Sequence, residues 1–142
     1  MYLSEFIPLA PTCDQFILLA SASIPAGEPS NVCTEFERLN FHEHITGGSD
    51  GVYTVRAIGD SMETEIRNGD LLVVNRNLLP KSGDIVIASV NGAFTVKVFQ
   101  RKQSGLFLVP KNDNYEPQII TRKDDFEVFG VVTFILHQVK KN

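Results

Sequence analysis

A serine and a lysine are the side chains in this sequence whose surroundings point to covalent chemistry. Ser61 lies in residues 58–62, Ile-Gly-Asp-Ser-Met, which predict a strand that stops at a glycine and presents the serine in a turn. Lys97 lies in residues 94–99, Phe-Thr-Val-Lys-Val-Phe, inside an apolar strand. A serine hydroxyl becomes an effective nucleophile once a base takes its proton, and a neutral lysine amine can be that base. The two segments therefore suggest a nucleophile and its base.

The lysine can act as a base only if its pKa is lowered. An unperturbed lysine has a pKa of about 10.4, and bringing it to about 7–8 costs about 3–5 kcal/mol. Burial in an apolar site can supply this shift, and strand alternation places Lys97 on the same face as Thr95 and Phe99. Composition alone favours the opposite, a lysine pointing to water from an edge strand, because lysine is almost never fully buried unless paired.

The serine also has an ordinary alternative. Gly-Asp-Ser is common in turns, where the hydroxyl usually bonds nearby backbone. A catalytic role is favoured by the apolar Met62 directly after the turn and by the backbone N–H groups of Asp60 and Ser61, which could face a developing oxyanion. Losing one such donor typically costs about 3–4 kcal/mol in the transition state.

The three histidines offer weaker chemistry. His42, His44 and His137 share no motif with Ser61, so a serine–histidine–aspartate triad has little support. His42 and His44 lack a third ligand at metal-site spacing and are expected to be solvated. We expect no metal and no cofactor.

Charge is distributed unevenly along the chain. Residues 1–50 hold one basic and seven acidic residues, net −6, whereas residues 51–142 hold twelve basic and ten acidic residues, net +2. Neither half is the basic footprint of a nucleic-acid-binding domain, so we expect no direct nucleic-acid binding. No apolar run is long enough to span a membrane, and the N-terminus lacks the basic start of a signal peptide, so we expect a cytoplasmic protein.

The pattern of apolar segments and turns predicts a mainly β protein with an extended, flexible N-terminal arm. Prolines and small residues characterise residues 1–30, and we place an arm at 1–45 and a compact catalytic domain at 46–142. Strands are expected within 52–58, 71–74, 84–90, 93–101, 106–109 and 126–136, with a hairpin turn at Asn91-Gly92. The last strand is apolar enough for burial on both faces. A weak periodicity predicts a helix over 31–41, and the apolar residues 16–19 could add to a sheet edge.

Several motifs together resemble the LexA/UmuD family of self-cleaving serine peptidases, peptidase family S24. They are residues 59–62 (Gly-Asp-Ser-Met), 68–71 (Asn-Gly-Asp-Leu), 83–86 (Gly-Asp-Ile-Val) and 94–97 (Phe-Thr-Val-Lys), in family order. Residues 125–132 are similar to the end of a UmuD-type protein, and the likeness covers most of residues 25–136.

This resemblance implies a mechanism and partners. Ser61 would be the nucleophile, Lys97 the general base and Ala26–Gly27 the cleaved bond, on a β-rich core that forms homodimers. A RecA–single-stranded-DNA filament would stimulate self-cleavage in the SOS response. The truncated form would then join a Y-family, UmuC-like catalytic subunit in an error-prone translesion DNA polymerase.

Two other functions stay open at this point. One is a non-catalytic dimeric partner-binding module with a solvated Lys97, and the other is a repressor-type transcriptional regulator of the LexA family. The roughly 26 residues before the bond are too few for a helix-turn-helix domain, which favours the UmuD branch. Type I signal peptidases also pair a Ser-Met motif with a lysine, but they need a membrane anchor.

Overall fold

The computed structural model describes residues 2–3, 6–10, 17–20 and 36–140. These residues fall into two compact units, one within Met1–Leu9 and Gly51–Asn142 and the other within Ala10–Asp50. In chain order the elements are β1 Tyr2–Leu3, β2 Ile7–Pro8, β3 Ile17–Ala20, β4 Phe36–Leu39, α1 Phe41–Thr46, β5 Val52–Ile58, β6 Leu71–Asn75, β7 Ile85–Val90, β8 Ala93–Lys102, β9 Gly105–Val109, β10 Gln118–Ile120 and β11 Phe126–Leu136. The prediction of a mainly β protein is confirmed.

The larger unit is one antiparallel sheet in the order β1-β5-β6-β11-β7-β8-β9-β10, with β2 also paired to β5. Each strand predicted from residue 52 onward is present within a residue or two of its expected bounds. Asn91 and Gly92 join β7 to β8 with φ angles of 51° and 86°, the left-handed pair that a two-residue hairpin turn requires. The predicted hairpin is therefore confirmed.

The strand β11 is central, with β6 on one side and β7 on the other. Only Gly130 and Val131 are buried along it, so the expected burial on both faces is limited to its middle. At Gly130 an added Cβ would lie 2.8 Å from Val74 Cγ1 and 3.0 Å from the Asn75 carbonyl oxygen. A side chain here would therefore push β6 away from β11.

The core cluster that supports the site lies between the end of β5 and the middle of β8. Its buried members are Val55, Ala57, Met62, Ile66, Leu72, Val74, Ile87, Val96 and Val98. Burying each large side chain of this kind contributes about 1.5–3 kcal/mol. Two members, Met62 and Ile66, belong to the turns after β5, so those turns are anchored in the core.

The smaller unit contains β3, β4 and α1. The apolar patch predicted to add to a sheet edge does so in part, because Ile17–Ala20 pairs with Phe36–Leu39. The helix predicted over 31–41 is wrong where the structure describes it: residues 36–39 form a strand, and α1 begins at Phe41 with Asn40 as its cap. The Asn40 cap of α1 and the pairing of residues 36–39 with residues 17–20 outweigh the weak apolar periodicity.

The predicted division into an arm, residues 1–45, and a domain, residues 46–142, stays a prediction. The strands β1 and β2 pair with β5 and so belong to the larger unit. The expected cleavage site, Ala26 and Gly27, lies outside the described residues. Among the residues that the structure describes, no helix is long and apolar enough to cross a membrane.

Candidate active site

The turn after β5 places Ser61 against the core. Gly59 has a φ of 112°, a left-handed conformation that lets the chain leave β5 sharply, and its N–H donates to Asn68 Oδ1 at 2.9 Å. The Asp60 carbonyl then accepts the Glu63 N–H at 3.1 Å, closing a tight turn. Met62 is fully buried, and Ser61 is 2% exposed. The apolar residue after the serine is thus the anchor of the nucleophile turn, which we define as residues 59–63.

Lys97 reaches this turn from the middle of β8. The neighbouring residues Val96 and Val98 point into the core, so strand alternation turns the half-buried Lys97 to the opposite face with Thr95. Lys97 Nζ lies 2.9 Å from Ser61 Oγ, 3.0 Å from Thr95 Oγ1 and 3.1 Å from the Val96 carbonyl oxygen. We call Ser61, Thr95 and Lys97 the amine cluster.

The contacts of the amine cluster fit a neutral lysine. Two of the three partners are hydroxyls, which can donate or accept, and the third is a carbonyl, which only accepts. A neutral amine has two N–H groups and one lone pair, so it can donate to Thr95 Oγ1 and the Val96 carbonyl while accepting the Ser61 proton. All three partners are uncharged, and burial lowers the pKa of Lys97. The neutral form, which can act as a base, is therefore more accessible in Lys97 than in an exposed lysine.

A second polar group lies where the last strand ends. His137 Nδ1 and Asp70 Oδ1 are 2.7 Å apart, and Arg67 Nη1 lies 3.3 Å from His137 Nε2. The Asp70 carboxylate also accepts the Arg67 backbone N–H at 2.8 Å. We call Arg67, Asp70 and His137 the carboxylate cluster. It contains a histidine–aspartate pair, but the group bonded to Ser61 Oγ is Lys97 Nζ, so the structure does not bring the elements of a serine–histidine–aspartate triad together at Ser61.

The other histidines are in the smaller unit. His42 lies in α1, and its Nε2 is hydrogen-bonded to the Ala10 carbonyl oxygen. Within the described ranges, no group of three histidine, cysteine, aspartate or glutamate side chains is placed to hold a metal ion.

Sequence reasoning placed Thr95 on the same face as Lys97 but did not give its hydrogen bond. It gave no role at the site to the loop at residues 110–117. In the structure Asn112 contacts the backbone of the nucleophile turn, and Tyr115 O–H donates to Asp60 Oδ1. These two residues lie more than 50 positions beyond the serine, and periodicity carries no signal for such a contact.

Comparisons with known proteins identify the family of the chain. The Peptidase S24-like family model matches residues 18–133. The chain is 40% identical to Protein SamA of Salmonella typhimurium over 119 residues, which cover 82% of this chain and 81% of SamA. It is 35% identical to Protein ImpA of Escherichia coli over 119 residues, covering 82% of this chain and 80% of ImpA.

Repressors are also among the relatives. The chain is 40% identical to the LexA repressor of Desulfatibacillum aliphaticivorans over 95 residues, which cover 65% of this chain and 47% of the repressor. The chain thus matches about half the length of that repressor, in contrast to its match with most of SamA and ImpA. From the extent of the family match and the identity to SamA, this chain belongs to the Peptidase S24-like family, as a member of the LexA/UmuD group.

Proposed function

We propose that this protein is a self-cleaving serine endopeptidase that uses Ser61 as nucleophile and Lys97 as general base to cut its own Ala26–Gly27 bond. The observation that carries the proposal is the 2.9 Å contact between Lys97 Nζ and Ser61 Oγ. That distance is within reach for direct proton transfer. Membership of a peptidase family supports the same reaction type.

The reaction proceeds in two halves. Ser61 Oγ attacks the carbonyl carbon of Ala26 while its proton passes to Lys97 Nζ. The tetrahedral intermediate collapses as the bond to the Gly27 nitrogen breaks, and the Lys97 ammonium returns that proton to the leaving amine. Water then attacks the ester between Ser61 and Ala26, losing its proton to Lys97, and the Ser61 hydroxyl is regenerated. The products are a fragment ending in the Ala26 carboxylate and a chain beginning with the Gly27 amine.

Thr95 and the Val96 carbonyl hold the amine during this cycle. A lysine side chain has many rotamers, and fixing its nitrogen beside Ser61 removes an entropic cost from the reacting state. When Lys97 accepts the serine proton, its third N–H still has Ser61 Oγ or the leaving nitrogen as partner. Burial lowers the pKa of Lys97, so the ammonium is less favoured here than on an exposed lysine.

The segment around the bond suits an extended substrate. Ala26 and Gly27 are small, so the backbone can approach the serine closely, and Pro25 and Pro29 favour extended conformations on both sides. Cleavage within one polypeptide makes the reaction unimolecular, which is worth up to about 7–11 kcal/mol when the geometry is held. We propose that the arm exchanges between a state docked in the active site and an undocked state. A partner can stimulate cleavage only by binding the docked state better than the undocked one.

We further propose that cleavage occurs in the bacterial cytoplasm as part of the SOS response. In this proposal a RecA–single-stranded-DNA filament stimulates cleavage of a homodimer. The truncated form is then the accessory subunit of a translesion polymerase whose catalytic subunit is a Y-family, UmuC-like protein. Similarity to SamA and ImpA over most of their length supports this branch of the family.

A repressor-type regulator is the second candidate function, and the similarity to LexA repressors favours it. Direct DNA binding separates the two candidates. A repressor would bind duplex DNA with an affinity that falls steeply with salt, whereas the polymerase accessory protein would not. A fluorescence-anisotropy titration of the purified chain against duplex DNA at two salt concentrations distinguishes them.

Intact mass spectrometry tests the peptidase. The wild type is incubated at neutral pH and at about pH 10, close to the ordinary lysine pKa, beside Ser61→Ala and Lys97→Ala. We expect a product of 142 − 26 = 116 residues, beginning at Gly27, from the wild type alone and faster at high pH. Lys102→Ala, at the far end of β8, and Ser104→Ala, in the turn after it, change the same residue types and should cleave like the wild type. An uncleaved wild type, or equal cleavage in Ser61→Ala, would contradict the proposal and leave a partner-binding module.

A further inference from the structure

The loop at residues 110–117 holds the backbone on both sides of the nucleophile. The Asn112 backbone N–H donates to the Ser61 carbonyl oxygen at 3.1 Å. The side-chain amide of the same residue donates through Nδ2 to the Asp60 carbonyl oxygen at 3.0 Å. One asparagine therefore binds the carbonyl groups of two successive residues in the nucleophile turn.

These bonds fix more than two oxygen atoms, because a peptide unit is rigid. In a trans peptide the C=O and the following N–H lie in one plane and point in opposite directions. The Asp60 carbonyl belongs to the same unit as the Ser61 N–H, so the bond from Asn112 Nδ2, together with the bond from the Glu63 N–H, sets the direction of that N–H. The Ser61 carbonyl belongs to the next unit. With both flanking units held, the Cα–Cβ bond of Ser61 is directed as well.

Asn112 is itself held in place. Its Oδ1 accepts the Asn114 N–H at 3.0 Å, and its carbonyl accepts the Tyr115 N–H at 3.1 Å. The Oδ1 contact determines which end of the amide is the donor, so Nδ2 is the end directed at Asp60. Tyr115 adds a separate link from the same loop, through its O–H to the Asp60 carboxylate. The loop thus binds the turn through both backbone and side chain.

We propose that Asn112 is a positioning residue for the self-cleavage reaction, directing the Ser61 N–H at the oxyanion that forms on the attacked carbonyl. The inference rests on the proposed function, since it assigns a role within that reaction. An oxyanion donor works only when it lies about 2.7–3.1 Å from the position the oxyanion will occupy. A small rotation of the 60–61 peptide unit would move the donor out of that range while leaving Lys97, Thr95 and the Val96 carbonyl in place.

The test compares Asn112→Ala with Asn114→Ala, the same truncation two residues away in the same loop. Two rates are measured across pH in the full chain: self-cleavage by intact mass, and modification of Ser61 by a fluorophosphonate, whose P=O group also needs an oxyanion donor. Asn112→Ala should lower both high-pH plateaus by about tenfold to hundredfold, less than the roughly 10²–10³-fold loss on removing a donor outright. The pH midpoint should stay that of the wild type, because Lys97 is not touched.

A second pair keeps the inference testable if the alanine variant is poorly folded. Asn112→Asp retains the acceptor for the Asn114 N–H and the backbone bond to Ser61, but its carboxylate cannot donate to Asp60. Asn114→Asp adds the same charge to the same loop. We expect slow cleavage and slow labelling from Asn112→Asp alone, at temperatures where thermal unfolding shows each variant to be folded.

The outcomes separate this inference from the proposed function. If the wild type reacts and folded Asn112 variants match their Asn114 controls, the positioning role is overturned and the peptidase stands. A shifted pH midpoint with an unchanged plateau also overturns it, because Asn112 would then act on Lys97. If the wild type neither cleaves itself nor reacts with the fluorophosphonate, the peptidase falls and the positioning role falls with it.

Discussion

The amine cluster and the carboxylate cluster both place an ionisable side chain in the larger unit, yet they surround it with opposite kinds of partner. Lys97 meets two hydroxyls and a backbone carbonyl, all neutral. Asp70, 3% exposed, meets His137 and a backbone N–H, and His137 in turn contacts Arg67. The Asp70 carboxylate has hydrogen-bond donors as its partners. None of the hydrogen-bond partners that the structure describes for Lys97 carries a negative charge that would stabilise the ammonium.

We propose that Lys97 is the reactive group of the two and Asp70 a structural one. Burial without a counter-charge lowers the pKa of Lys97, so the amine is closer to losing its proton than an exposed lysine is. The bonds of the carboxylate cluster form a chain in which Arg67 donates to His137 Nε2 and His137 Nδ1–H donates to Asp70. Each group there has its partner, and the cluster ties the residue after β11 to the turn before β6. We expect the first cluster to control rate and the second to control stability.

Replacing the base should give the largest effect. Lys97→Arg keeps a positive charge but its guanidinium does not lose a proton in proteins, so it cannot accept one from Ser61. We expect self-cleavage to fall by about 10²–10⁴-fold, the usual contribution of a general base. Intact mass spectrometry at high pH measures the loss. Lys102→Arg, at the exposed end of the same strand, serves as the control, and a cleaving Lys97→Arg would show that another group is the base.

Breaking the carboxylate cluster should instead lower stability. Asp70→Ala removes a buried carboxylate that accepts the Arg67 backbone N–H and pairs with His137, and losing these partners costs about 1–3 kcal/mol. Urea denaturation followed by circular dichroism measures the change. Asp84→Ala is the matched comparison, because Asp84 accepts the Lys81 N–H at 2.8 Å in an equivalent turn but has no histidine bonded to it. Equal losses in the two variants would mean that His137 adds nothing.

Within the amine cluster, Thr95 should have a smaller effect than Lys97. Thr95→Val keeps the shape of the side chain and removes the hydroxyl that holds Lys97 Nζ. Losing one such hydrogen bond is worth about 1 kcal/mol, or roughly a fivefold fall in rate. Thr133→Val, which removes a hydroxyl bonded to the Val73 carbonyl, controls for the substitution itself. Self-cleavage of the two variants is compared under identical conditions, and an unaffected Thr95→Val would assign no role to its hydroxyl.

The smallest expected effect is on the pH dependence of stability. Because the folded-state pKa of Lys97 is lowered, there is a pH range in which the unfolded chain still holds the proton that the folded chain has lost. Stability therefore rises with pH across that range. Lys97→Met removes the cost of burying the charged amine, so we expect the variant to be more stable than the wild type at neutral pH. This difference in stability should shrink as pH rises toward the ordinary lysine pKa of about 10.4. Urea midpoints at several pH values test this, and a constant difference would contradict it.

Local pattern was enough to predict β5 to β9 and β11, because apolar runs bounded by Gly-Asp and Asn-Gly turns leave few alternatives. It also located Ser61 at a strand-ending turn and Lys97 within a strand. It could not give the 2.9 Å distance between them, since β8 is brought beside the turn after β5 only by the order of strands in the sheet. The residue types suggested the two as nucleophile and base, and the resemblance to a known family supported that pairing.

The remaining misses have the same physical origin. The contacts of Asn112 and Tyr115 with Asp60 join residues more than 50 positions apart, and so does the contact between Asp70 and His137. No local periodicity encodes such contacts. The helix predicted over 31–41 failed for the opposite reason. There a short apolar periodicity existed, but residues 36–39 gain more by pairing with residues 17–20. Both the missed contacts and the wrongly predicted helix are therefore explained by contacts between residues that are distant in the sequence.

Titration of Lys97 shows most directly whether the amine beside Ser61 has a lowered pKa and can act as a base. A Gly27→Pro variant, which replaces the scissile secondary amide and leaves Ser61 and Lys97 unchanged, is labelled with ¹³C-lysine, and the ε-carbon shifts are followed by NMR as pH rises. Lys97→Arg identifies the Lys97 signal, and Lys102 provides the exposed reference. We predict that Lys97 titrates at a clearly lower pH than the ordinary lysine pKa of about 10.4. A Lys97 that titrates at the ordinary value would contradict this prediction, because the amine beside Ser61 would then be an ordinary charged lysine.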